Sequence, residues 1–147
     1  MLTISAHGLV LWVHVLSACV WIGGQITILA VLPIVRPTPG MPAAVGRQFQ
    51  LVAWPAFGLL IITGLLNVLY LHIGWTDLWT TTTGRTLAVK LGLVAASGIA
   101  TAAHVLHESR RRRNGIPPSG RVPAVLGSIG LLSALGAALY GVVLTGG

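Results

Sequence analysis

Five histidines and a single lysine stand out in this sequence, because long apolar runs surround most of them. Neutral imidazole binds copper, zinc or haem iron, and an ammonium group pairs with anions such as a haem propionate. The sequence contains no nucleophile–base pair, no paired carboxylates and no phosphate-binding glycine loop. Its reactive residue types therefore favour binding of a metal or a haem over hydrolytic chemistry.

The composition places these residues in a membrane. Of the 147 residues, 54% are hydrophobic and only 7% are charged, whereas a soluble domain carries about 25% charged residues. Lipid must therefore cover most of the protein's outer surface. The net charge of +7 does not indicate nucleic acid as a partner, because the basic residues cluster between the apolar runs. Cys19 stands alone, which excludes an intramolecular disulfide and a CxxC motif.

Four apolar segments are each long enough to cross a bilayer, whose hydrocarbon core needs about 20 helical residues. They run from about residues 8–32, 49–72, 86–107 and 122–144. Prolines and polar residues separate them, and no segment alternates with the period of a strand. The pattern predicts an all-α fold, an up-down-up-down four-helix bundle that forms a single transmembrane domain over residues 1–147.

The arginines predict the orientation of the bundle. Seven are expected in the first and third loops, whereas the N-terminus, the second loop and the C-terminus together contain only Arg85. The seven are Arg36, Arg47, Arg110, Arg111, Arg112, Arg113 and Arg121. Because positive residues favour the cytoplasmic side, we expect both termini outside. The tryptophans Trp12, Trp75 and Trp79 then suit an aromatic belt at the outer interface.

Polar residues recur at helical spacing within three spans, so each of these spans presents a polar face to the protein interior. On the first span they are His7, His14, Ser17 and Gln25, together with Trp21. On the second they are Thr63, Asn67 and Tyr70. On the third they are Lys90, Ser97, Thr101, His104 and Glu108.

Depth in the membrane predicts an outer site. His14 lies about 9 Å and Lys90 about 6 Å inside the outer ends of their helices, at 1.5 Å per residue. His7 and His72 lie at that same end of their spans. We predict that His7, His14 and His72 bind a metal or a haem there. The polar pocket around them would contain Lys90, Gln25, Ser17 and Asn67.

A second group lies near the inner end of the third span. His104 is about 18 Å deeper than His14, so the two cannot be axial ligands of one haem. His104 and Glu108 form a possible inner site. The alternative interpretation is that His107 and Glu108 are solvated or pair with the neighbouring arginines.

Three segments carry a resemblance to a known family: HVLSACVWIGG from His14, LLIITGLLNVL from Leu59, and TGRTLAVKLGLV from Thr83. Together they resemble the four-helix domain of the copper resistance protein D family. The resemblance spans nearly the whole chain and implies copper uptake across the cytoplasmic (inner) membrane of a prokaryote. A copper ion would be received by His14, assisted by His7 or His72, and Lys90 would tune or gate the site.

A more distant similarity, through Val89-Lys90-Leu91 and Pro55, is to the HemJ-type protoporphyrinogen oxidases. It implies a b-type haem with His14 as axial ligand and Lys90 near a propionate. A third alternative is a non-catalytic accessory subunit of a larger membrane complex. Four helices make a thin wall for a conduction path, so we expect transport to require a homo-oligomer or a partner subunit in the lipid bilayer.

A visible absorption spectrum of the purified protein separates these alternatives. A Soret band that disappears in the His14→Ala variant would favour a haem, since imidazole is a common axial ligand of haem iron. A colourless protein that retains copper would favour the metal. If neither a Soret band nor bound copper is found, the remaining alternative is the accessory subunit.

Overall fold

A computed structural model describes residues 5–70, 74, 76–116 and 120–146. Five α-helices account for nearly all of them, and no strand occurs within these ranges. The helices are α1 (Ala6–Val35), α2 (Met41–Tyr70), α3 (Asp77–Thr80), α4 (Thr82–Arg113) and α5 (Arg121–Gly146). All except α3 are long and apolar enough to cross a membrane. The predicted fold class, an all-α membrane protein with four spanning helices, is confirmed.

The long helices extend beyond the predicted spans. The largest difference is at α2, which begins at Met41 rather than near residue 49. Pro42 does not prevent this, because a proline in the first turn of a helix leaves no hydrogen bond unmade. The following alanines and Arg47 are good helix formers that hydropathy alone does not detect. Arg47 therefore lies on α2 and not in a loop.

Both ends of α4 have a local cause. The side chain of Thr81 caps the first turn by accepting a hydrogen bond of 3.0 Å from the backbone N–H of Gly84. At the other end the helix continues through Arg110, Arg111, Arg112 and Arg113. Positive side chains in a last turn interact favourably with the negative end of the helix dipole. The arginine cluster is consequently helical.

The chain divides into two compact units, Met1–Ile73 and Gly74–Gly147, each built on one helical hairpin. In the first unit, His7 of α1 contacts Tyr70 of α2, and Trp21 contacts Phe57. Partners on α2 thus move back along the sequence as α1 advances, so the two helices are antiparallel. In the second unit α4 packs in the same manner against α5, and α3 packs against α4. The single-domain organisation stays a prediction.

Many large apolar side chains point outward from each hairpin, including Leu51, Leu69, Ile99, Leu132 and Val142. Each is more than half exposed. A water-soluble protein rarely exposes so much contiguous apolar surface. Together with helices of 24 to 32 residues, this surface is the one that a bilayer covers.

Gly84 is the position where the fold depends most directly on a missing side chain. A Cβ atom there would overlap the backbone of Asp77 and Leu78 in α3. We expect Gly84→Ala to lower the free energy of unfolding by about 1–3 kcal/mol, the usual cost of overpacking. Thermal unfolding in detergent measures the effect. Gly92→Ala, on the same helix with open space around it, is the matched control and should be neutral or slightly stabilising.

Candidate functional site

The α1–α2 hairpin contains a column of polar side chains between its two helices. His14 lies at its centre, where the Nδ1 atom of the imidazole is 3.0 Å from the Oγ1 atom of Thr63. Gly64 lies beside the same ring, and a Cβ atom at that position would be 3.4 Å from His14 Cε1. The glycine therefore lets the imidazole lie close against the backbone of α2.

Thr63 determines which nitrogen of His14 carries a proton. The hydroxyl of Thr63 donates its single proton to the carbonyl oxygen of Leu59, at 2.6 Å. It must therefore accept from His14, so the Nδ1 atom of His14 is the donor. In the neutral ring the lone pair then resides on Nε2. This is the arrangement of metal-ligating histidines, whose other ring N–H is held by an oxygen acceptor.

Two further polar groups extend the column toward the N-terminal end of α1. The ring of His7 stacks on Tyr70, with 4.6 Å between ring centroids and 29° between ring planes. Asn67 lies one helical turn from Thr63, and its buried Oδ1 atom has no hydrogen-bond partner among the residues that the structure describes. His7 lies against Tyr70 and His14 lies against Thr63. Because Tyr70 and Thr63 are seven residues apart on α2, the imidazoles of His7 and His14 lie about 10 Å apart along the hairpin.

On the side of His14 opposite to His7, the polar column ends at Trp21. This side chain is only 1% exposed and contacts Trp54 and Phe57, with ring centroids at 5.8 Å and 4.4 Å. Ser17, one turn before it, is also buried. Gln25 bonds within its own helix, since its Nε2 donates to the carbonyl of Trp21 at 3.2 Å. An aromatic cluster thus follows the polar column.

Three residues of the predicted polar stripe of α4, namely Lys90, Ser97 and His104, lie against α5. Lys90 lies over Gly141, where a Cβ atom would be only 3.2 Å from Nζ. Ser97 is 1% exposed and donates to the carbonyl of Gly130 at 2.8 Å. Small residues of α5 therefore admit polar side chains of α4 directly against the backbone.

The C-terminal end of α4 carries His104, His107 and Glu108. The Nδ1 atom of His104 donates to the carbonyl oxygen of Pro123, at 3.0 Å. The Nε2 atom of His107 and the Oε1 atom of Glu108 are buried without a hydrogen-bond partner in the described part of the chain. For these two atoms, the interpretation as solvated or arginine-paired groups is wrong.

The sequence identified the correct helix faces but not the individual partners. His14 and Lys90 each lie within their own hairpin, and their predicted meeting stays a prediction. His72 lies outside the described residues. Thr63 was not assigned to the site, although its position on the polar face of α2 was the available signal. Within the described residues, no three His, Cys, Asp or Glu side chains are already arranged around one metal position.

Comparison with known proteins finds the same family that the sequence resembles. The model of the copper resistance protein D family matches residues 43–145, more than two thirds of the chain. Copper transport protein CutJ of Bacillus subtilis (strain 168) is 29% identical over 125 residues. That alignment covers 84% of this chain but only 23% of the length of CutJ. No solved structure matches the chain.

The hydrogen bond between His14 and Thr63 can be tested directly. Thr63→Val keeps the side-chain shape but removes the acceptor for the Nδ1–H of His14. We expect it to lower the free energy of unfolding by about 1–3 kcal/mol, the cost of losing one partner of a buried pair. Thermal unfolding in detergent measures this, and ¹⁵N NMR of labelled imidazole reports the tautomer. Thr63→Ser, which keeps the hydroxyl, should behave like the native protein; equal behaviour of the two variants would contradict the assignment.

Proposed function

Because the chain belongs to the copper resistance protein D family, we propose that it takes up copper at the outer side of the cytoplasmic membrane. It is a multi-pass, copper-related membrane protein, and copper is its cargo. The observation that supports the proposal best is the geometry of His14. Its Nδ1–H is held by Thr63, which places the lone pair of a neutral imidazole on Nε2, the tautomer and second contact typical of metal-ligating histidines.

The polar column suggests the order in which its residues meet the ion. His7 lies in the first turn of α1, exposed and stacked on Tyr70, so it is the residue that the ion would meet first. His14, two turns deeper and half-buried, would receive the ion next. The buried Oδ1 atom of Asn67 offers a polar contact between the two levels. Trp21 then prevents straight passage between α1 and α2.

Two features beyond this column belong to the same proposal. His72 would assist His14 as a second imidazole, and Lys90 would tune or gate the site through its charge. A complete path would require a homo-oligomer or a partner subunit, because each hairpin closes around aromatic or small residues. The last turn of α4 carries four arginines, and positive residues favour the cytoplasmic side of a membrane. We therefore propose that this end of the bundle is cytoplasmic and that both termini are outside.

Copper uptake into cells that express the protein tests the role of His14. The initial rate, measured as cell-associated copper by mass spectrometry, should fall at least about tenfold in His14→Ala. Loss of a ligand should cost no less than loss of a group that orients it, which weakens metal sites 10- to 100-fold. Membrane protein abundance is measured in parallel, so that loss of expression is not read as loss of function.

Cys19→Ser is the matched control for this measurement. Cys19 lies on the same helix and has a thiol, a group that can bind copper, but it is exposed. Its substitution should leave uptake within about twofold of the native rate if the α1–α2 column carries the ion. Uptake that depends on Cys19 and not on His14 would refute the proposed role of the column.

A further inference from the structure

The last turns of α4 carry three metal-binding side chains in the second unit, His104, His107 and Glu108, here termed the inner cluster. At 3.6 residues per turn the three positions fall within about 100° of the helix circumference. His104 and Glu108 are four residues apart, which places their Cβ atoms about 6 Å from each other. Ligands at this spacing on one helical face are a recurrent means of holding a metal.

His104 is already oriented as a ligand. A carbonyl oxygen can only accept, so the contact of 3.0 Å with Pro123 O requires the proton to be on Nδ1. In the neutral ring Nε2 then carries the lone pair. A backbone carbonyl that holds the distal N–H of a histidine fixes the tautomer and raises the basicity of the ligating nitrogen.

His107 and Glu108 supply the observation that points to a ligand. The Nε2 atom of His107 and the Oε1 atom of Glu108 are both buried, and neither has a hydrogen-bond partner in the ranges that the structure describes. A buried polar atom without a partner is costly, so native proteins leave few of them. Two on adjacent residues, one turn from an oriented imidazole, indicate a site that a cation completes.

The surroundings indicate weak rather than permanent binding. The three side chains are not already gathered around one position, so the ion must draw His107 and Glu108 into place. The arginines that follow, from Arg110 to Arg113, lower the affinity for a cation, although those that are exposed are screened over about 8–10 Å. Ions move through a membrane protein only if each site binds weakly enough to release them.

We propose that the inner cluster is a copper-release site, with His104, His107 and Glu108 as the ligands. Two imidazoles and one carboxylate form a donor set that binds Cu²⁺ more tightly than the other divalent ions of the first transition series. The assignment of copper rests on the proposed function, whereas the existence of a metal site in the inner cluster does not.

The test uses full-length protein in lipid nanodiscs. The triple variant with His7→Ala, His14→Ala and His72→Ala keeps only the two imidazoles of the inner cluster. We expect it to bind one Cu²⁺ per chain, with nitrogen hyperfine splitting in the electron paramagnetic resonance spectrum. Adding Glu108→Gln should raise the Kd for Cu²⁺ at least about tenfold. Circular dichroism checks that each variant remains helical.

Asp77→Asn in the same triple variant is the matched control, because Asp77 and Glu108 are the two acidic residues of the chain. It removes the same charge some 31 residues away and should leave the Kd within about twofold. The proposal is overturned if the triple variant binds no more Cu²⁺ than a variant without any histidine, or if Glu108→Gln leaves the Kd unchanged. Where the histidine-free variant does not fold, the Glu108→Gln comparison decides alone.

The outcome is independent of the proposed role of His14. If copper uptake survives His14→Ala and the triple variant still binds Cu²⁺, the proposed role of the polar column between α1 and α2 is refuted and that of the inner cluster is supported. If uptake is lost in His14→Ala and the triple variant binds no Cu²⁺, the role of the polar column is supported and that of the inner cluster is refuted.

Discussion

Polar side chains in hydrocarbon need hydrogen-bond partners, and in both hairpins several of these partners lie on the neighbouring helix. In the first hairpin the imidazole of His14 donates to Thr63, which in turn donates to the backbone of its own helix. In the second, Ser97 donates to a backbone carbonyl of α5, and so does His104. Each of these hydrogen bonds joins two helices at a defined register. Apolar contacts in lipid define that register only weakly.

Small residues make these contacts geometrically possible. Gly64 lies beside the ring of His14, and Gly141 lies beneath the ammonium group of Lys90. A Cβ atom at position 64 would touch the ring of His14 at 3.4 Å, an ordinary contact, whereas one at position 141 would lie more tightly, 3.2 Å from Nζ of Lys90. In lipid, where no hydrophobic force drives helices together, such close approach is itself a main source of association. Glycine is thus part of the polar interface as well as part of the packing.

The same constraint separates satisfied polar groups from those available for chemistry. Ser97 and Thr63 each donate their hydroxyl proton to a backbone carbonyl, so we regard them as structural or orienting residues. His14 and His104 each have Nδ1 held by an oxygen, which places the lone pair of a neutral ring on Nε2. Asn67, His107 and Glu108 retain buried atoms without partners in the described chain.

The sequence by itself determined the membrane location, the four spanning helices and the face of each helix that carries polar residues. Composition and the period of 3.6 residues suffice for these, because they depend on single helices in lipid. Only the tertiary structure decided that Thr63 orients His14, that Pro123 orients His104, and that the Nε2 atom of His107 is buried. These facts depend on which residues of a second helix lie opposite, and that register is set by pairwise contacts that no single-helix pattern contains.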